Sequence, residues 1–148
     1  VIERDKLGKL RMVGGGSNLV DISHVQNVAE AHLLALDALM ANRANGKAYF
    51  ISQGQPVVLW EWLNNILTRL QIPPVSRKIS PRKAYVIGAI LEKLWTLLNL
   101  PGEPPMTRFI AVELSKSHYF SIEAARSQLN YEPRISTEEG MDSFIESW

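Results

Sequence analysis

Apolar residues fall along the chain in short extended runs and in helical spacings, separated by Gly, Pro and Asn. Residues 10–13 read as a short strand, residues 14–18 as a glycine loop, and residues 19–22 as a second extended piece. Ser23, with Gln26 three residues on, fits a capping box that opens a helix to about Arg43. In that helix Val25, Val28, Ala29, His32, Ala35, Leu36 and Leu39 recur at helical spacing and mark the expected buried face. Asn45-Gly46 is the expected end cap. Residues 47–52 carry the strongest strand pattern, aromatic and β-branched between turn residues.

The second half is mostly helical in pattern. Residues 59–70 predict a helix burying Leu59, Trp62, Leu63, Ile66 and Leu70, stopped by Pro73-Pro74. Residues 75–79 read as a short strand. Ser80-Pro81 opens the next helix, with Pro at its first position. The span 84–100 is the most apolar, with Glu92, Thr96 and Asn99 as a narrow polar stripe and Lys93 beside it. Helices are further expected over 107–114, over 122–129 after Ser121, and from Ser136, whose Glu139 completes a capping box. Residues 118–120 suggest a short strand. A strand–helix–strand front implies one βαβ unit of an α/β fold. A parallel sheet needs both faces covered, so the front reads as the trailing edge of a larger sheet.

Composition narrows the class. The 148 residues are 46% hydrophobic and 21% charged, as in an ordinary globular chain. The formal net charge is +1, spread evenly over both halves, which excludes the basic excess of a nucleic-acid binder. There is no cysteine, so disulfides, thiolate metal sites and Cys nucleophiles are excluded, and a cytoplasmic location is expected. The chain opens on Val1 without a signal-peptide pattern, which reads as a piece of something longer.

Searches for chemistry return little. A dinucleotide fingerprint needs three glycines, yet Gly14 and Gly16 are followed by Leu19 at the third position, so a tight turn is expected instead. His24 and His32 are two helical turns apart, too far for chelation from one helix. His24 is expected at a helix start, His32 in packing, and His118 in a structural role within a strand. Tyr49, Tyr85, Tyr119 and Tyr131 are followed four residues later by Gln53, Ala89, Glu123 and Ile135, so no Tyr-x-x-x-Lys pair is present. Arg77, Lys78, Arg82 and Lys83 precede the uncharged run 84–91. That arrangement suits a core helix with a solvated flank, a pocket for a greasy substrate, or contact with an anionic membrane surface.

Residues 18–32, with Asn18, Asp21, His24, Val25, Asn27, Val28, Ala29, Ala31 and His32, resemble a stretch of extended short-chain dehydrogenases/reductases. The resemblance is closest to the 3β-hydroxysteroid dehydrogenase/isomerase and sterol 4α-carboxylate dehydrogenase branch. Residues 8–14, residues 46–52, Pro56 with Trp60 to Leu63, and Leu129-Asn130-Tyr131-Glu132-Pro133 extend it, with Asn130 where the family has Gly.

The resemblance implies an α/β fold: trailing strands of a Rossmann-like parallel sheet over residues 1–56, then a mostly helical substrate-binding region over residues 57–148. It places the cofactor loop and the Tyr-x-x-x-Lys pair upstream. The chain by itself is therefore expected to bind no NAD or NADP and to be inactive, the cofactor belonging to the parent enzyme. Sugar-nucleotide epimerases of the superfamily often carry Arg at the position of Val20, so Val20 favours a hydrophobic hydroxy or keto substrate over a nucleotide-sugar. Val20, Tyr85, Arg108 and Tyr119 are the candidate substrate-lining residues, with no catalytic, cofactor-binding or metal residue expected. A nucleotide-sugar epimerase/dehydratase part and a non-enzymatic, self-associating domain are the alternatives. The expected partners are the missing dinucleotide-binding region, a hydrophobic small molecule and, at the periphery, a membrane.

Overall fold

In a computed structural model that describes residues 10–148, the chain is a mixed α/β protein with four two-residue strands and six helices among the described residues. Val1 to Lys9, including Gly8 and Lys9 of the family-like stretch, lie outside them. The residues group into two compact units, each assembled from two stretches of chain: residues up to Leu19 with Val58–His118, and Val20–Val57 with Tyr119–Trp148.

In the first unit, β1 (Met12–Val13) pairs in parallel with β4 (Lys78–Ile79), in the register Met12 to Lys78 and Val13 to Ile79. Gly14 continues the ladder, its N–H donating to the Ile79 carbonyl at 2.9 Å, before turning at φ +83°. β4 runs directly into α3 (Pro81–Leu97), with the Ser80 hydroxyl accepting from the Lys83 N–H and Pro81 in the first turn, as the sequence predicts. Val13 is fully buried against Ala84 of α3 and Ala111 of α4 (Arg108–Glu113). A second cluster gathers Trp60 and Leu67 of α2 (Leu59–Arg69) with Val75. The expected face of α2 is therefore rotated: Trp60 and Leu67 are its deepest residues with Ile66, while Leu59, Trp62, Leu63 and Leu70 are only half-buried. Trp60 holds its position with an indole N–H donated to the Leu114 carbonyl at 3.4 Å.

In the second unit, α1 (Val25–Met40) packs on α5 (Glu123–Leu129) through Ala31, Ala38 and Ala125, small side chains that permit close approach, with Leu129 and Tyr131 closing the cluster. Several expectations are corrected here. His24, not Ser23, caps α1, its ring nitrogen accepting from the Gln26 N–H, while the Ser23 hydroxyl donates to the Ile51 carbonyl. The helix ends at Met40 with Ala41 as cap and Asn42 in the left-handed region, ahead of Asn45-Gly46. Its buried face is Asn27, Ala31 and Ala38; Val25, Leu36 and Leu39 are exposed, and so is His32, which hydrogen-bonds the Val28 carbonyl.

Residues 47–52 form no strand. Their carbonyls are engaged by side chains instead of a ladder: Ser23 Oγ donates to Ile51 and the Tyr131 hydroxyl to Ser52. Residues 118–120 reduce to one backbone pairing, His118 N–H to the Leu19 carbonyl at 2.9 Å. α6 (Thr137–Ser147) begins with the full capping box of Ser136 and Glu139.

Candidate functional site

Tyr85, Gly88 and Glu92 lie at spacings of three and four and therefore share one face of α3. That face meets the start of α4. Both oxygens of Glu92 are used there: Oε1 accepts the Arg108 backbone N–H and Oε2 the Arg108 Nε, each at 2.7 Å. A carboxylate at the first turn of a helix satisfies an N–H that has no partner within the helix and meets the positive end of its dipole. The Arg108 N–H, and then its guanidinium, hold the Glu92 carboxyl below the usual carboxylate range. Glu92, and after it the Tyr85 hydroxyl, raise the Arg108 guanidinium. Of the four residues expected at a substrate site, Tyr85 and Arg108 are thus brought together. Val20 is buried and Tyr119 exposed, both in the second unit.

Two cavities open on this cluster. One, of about 530 Å³, is lined by Ala89, Lys93, Leu97 and Arg108; the other, of about 770 Å³, by Trp95, Leu100, Pro104, Phe109 and Ile110. Glu92 and Thr96 line both. Both are open hollows with mixed apolar and charged walls, so a ligand resting in them would stay partly exposed. The Trp95 indole N–H is buried without a partner among the described residues, a donor that a ligand oxygen or a water would satisfy. Glu92, Gly88 and Trp95 escaped the sequence reading. Their signal was the Tyr85–Gly88–Glu92 spacing, which looks like an ordinary helix face until α4 is known to cover it.

The remaining chemistry-bearing residues serve structure. The Asn18 side-chain amide donates to the Lys116 carbonyl, and the Asn18 backbone carbonyl accepts the Leu59 N–H. Asp21 accepts the Phe120 N–H at 2.8 Å. His118 pairs with Glu113 at 3.3 Å. Tyr131 is fully buried, donates to the Ser52 carbonyl at 3.0 Å, and has its phenol raised by that burial. The glycine loop packs on its own strand. A Cβ on Gly16 would stand 2.6 Å from Met12 Sδ, so the glycine makes room for the chain's own methionine, and the loop leads into β2 (Leu19–Val20), not a helix. Among the described residues no group of three His, Asp or Glu side chains could hold a metal ion, and no helix is long and apolar enough to cross a membrane.

Comparison with known proteins places these residues in context. The sequence model of the 3-beta hydroxysteroid dehydrogenase/isomerase family matches residues 2–80. The chain is 49% identical over 140 residues to a 2-alkyl-3-oxoalkanoate reductase of Stenotrophomonas maltophilia, covering 94% of this chain and 42% of that protein. It is 30% identical to a sterol-4-alpha-carboxylate 3-dehydrogenase, decarboxylating, of Mus musculus, covering 100% of this chain and 42% of the relative. The crystal structure of gox2253 superposes with a TM-score of 0.56 at 25% identity, over 93% of this chain and 39% of that one. The chain thus spans about two fifths of the length of these relatives.

Proposed function

The chain belongs to the 3-beta hydroxysteroid dehydrogenase/isomerase family, and from that premise we propose that it forms the substrate-side part of an NAD(P)-dependent oxidoreductase acting on the hydroxy or keto group of a hydrophobic carboxylate. The observation that carries this reading is the 49% identity to a 2-alkyl-3-oxoalkanoate reductase, which extends over nearly the whole chain. The two relatives' names share one chemistry. A 3-oxoalkanoate bears its oxygen on the carbon β to the carboxyl, and position 3 of a sterol 4-carboxylate is also β to the carboxyl carbon. The cavities beside the Glu92–Arg108 pair offer apolar wall for such a molecule, and the cation that one of them adds is Lys93. The Arg108 Nε is spent on Glu92, so a substrate carboxylate would be met by Lys93 and by the remaining guanidinium N–H groups.

In this reading the hydride donor and the proton-transferring Tyr and Lys come from sequence outside this chain. The described residues hold no Tyr with a Lys four residues on, and the Gly14–Gly16 turn leads into a strand and not into a helix N-terminus. The exposed side chains of Val25, Leu36 and Leu39 on α1 would then be covered by the rest of the enzyme. The isolated chain is inactive.

The test is to produce the chain joined to the sequence that precedes it in its gene. NADH and NADPH oxidation would be followed with a long-chain 2-alkyl-3-oxoalkanoate, a 3-keto sterol and a UDP-4-keto-sugar. Oxidation with the first or second and not the third is expected, and none with the 148-residue chain alone. A joined protein that binds no nicotinamide cofactor, or turns over only the nucleotide-sugar, overturns the reading.

A further inference from the structure

We propose that a polar hollow beside the start of α6 binds a neutral polyhydroxylated molecule, of the chemistry of a single pyranose sugar. The hollow lies wholly within the second unit, where the turn at Gln53 and Gly54 meets the segment that leads from α5 into α6. It holds about 290 Å³, the space of roughly ten waters, and its wall is mostly polar. No residue on that wall lines either cavity beside Glu92.

Gln53 is only 6% exposed, yet one end of its side chain is unspent. Its Nε2 donates to the Thr137 hydroxyl at 3.4 Å, while its Oε1 is buried with no hydrogen-bond partner among the described residues. A buried acceptor without a donor is costly, and in native proteins such an atom is met by a ligand or by water. Arg126, on the same wall, has the complementary need. Its Nη1 donates to Glu123 at 2.9 Å. Its buried Nε stands 3.2 Å from Glu132 Oε1, an ion pair without the alignment of a hydrogen bond. One wall therefore holds one acceptor and one donor, both buried and both unspent.

Those two needs select the ligand. The charged groups on the wall already have partners: Arg126 pairs with Glu123 and Glu132, and Arg134 with Glu30 at 2.7 Å. A phosphate or a carboxylate would have to displace an acid to reach either guanidinium. No aromatic ring lines the hollow, so a nucleobase finds nothing to stack on. A hydroxyl donates and accepts at once. One hydroxyl can donate to Gln53 Oε1 while its neighbour accepts from Arg126, which the adjacent hydroxyls of a sugar ring supply at fixed spacing. Pro133 and Ile135 add apolar wall for the C–H face of such a ring.

In a nitrogen-15 NMR titration of the 148-residue chain, the Gln53 side-chain amide and the Gly54 and Thr137 N–H signals report on the hollow. The probes are the methyl α-glycosides of glucose, mannose and galactose, with inorganic phosphate and glycine as charged controls. At least one glycoside is expected to shift these signals saturably, and at lower concentration than either control. Gln53→Met keeps the chain length and removes the amide oxygen; Arg126→Lys keeps the charge and removes Nε. Each should weaken that binding about three- to tenfold, the worth of one neutral hydrogen bond. Gln55→Trp, at an exposed position on the rim, closes the hollow without touching a buried group and should abolish the shifts even where a buried variant fails to fold. No saturable shift with any glycoside leaves the hollow to water and overturns the proposal. Saturation by phosphate or glycine at or below the concentration a glycoside needs overturns it, and so does glycoside binding unaltered in Gln55→Trp. The titration needs neither cofactor nor hydrophobic substrate, so its failure leaves the oxidoreductase reading standing.

Discussion

Gly88 of α3 lies directly against the backbone of Thr107, where an added Cβ would stand 2.6 Å from the Thr107 carbonyl carbon. This close approach brings the first turn of α4 within reach of Glu92, one helical turn along the same face, and so creates the Glu92–Arg108 pair that borders both cavities.

Gly88→Ala is therefore expected to destabilise. In an open helix the exchange gains about 1 kcal/mol of helix propensity. Here the methyl meets backbone and not a yielding side-chain tip, and overpacking costs about 1–3 kcal/mol. A lower urea midpoint checks it. Gly46→Ala, with nothing within 4 Å but φ +69°, should lose about 1–2 kcal/mol from backbone strain alone.

Glu92→Gln keeps an acceptor for the Arg108 N–H and removes the charge. The Glu92 carboxyl is held below its ordinary 4.5, first by that N–H. A group whose folded pKa is lowered stabilises above its unfolded pKa, and the contribution fades as pH falls through the folded value. The difference between wild type and Glu92→Gln in urea unfolding should thus be full at neutral pH and shrink below about pH 4.5. A difference independent of pH would mean that the charge contributes nothing.

Asn27 is 2% exposed and ties α1 to the segment before α6. Its carbonyl accepts the N–H groups of Arg134 and Ile135, and its amide donates to the Ile135 carbonyl at 2.7 Å. Asn27→Ala strands those backbone groups and should cost roughly 1–3 kcal/mol. Amide exchange at Arg134 and Ile135 should accelerate, which separates loss of the tie from general loosening.

Tyr131→Phe removes the one hydrogen bond of the buried hydroxyl to the Ser52 carbonyl while keeping the ring in its cluster. A loss of roughly 0.5–1.5 kcal/mol in thermal or urea unfolding is expected.

Legibility in the sequence followed the range of each interaction. Ser80 with Lys83 and Ser136 with Glu139 act across three residues, and these caps stand where the pattern puts them. Ser23 misled because its hydroxyl found Ile51, twenty-eight residues away, leaving the cap to His24. Residues 47–52 have every local mark of a strand, but a strand exists only through a neighbour, and among the described residues Ser23 and Tyr131 occupy those carbonyls. The candidate site was half legible. Tyr85 and Arg108 were marked, whereas Glu92 stood only as one residue of a polar stripe because its partner is sixteen residues on, across a break at Pro101 to Pro105.

The sequence by itself determined the starts of α3 and α6, that the chain is α/β, and the family to which it belongs, because these caps and ordered motifs are written in neighbouring residues. Only the tertiary structure decided which faces are buried. α1 turns Asn27, Ala31 and Ala38 inward, not Val25, Leu36 and Leu39, and α3 keeps Val86, Ile90 and Leu97 outside. Hydrophobic spacing identifies a face that gains by being covered. What covers it depends on chain far away in sequence, and here small residues and a glycine, not the largest aliphatic side chains, let the neighbouring elements come close.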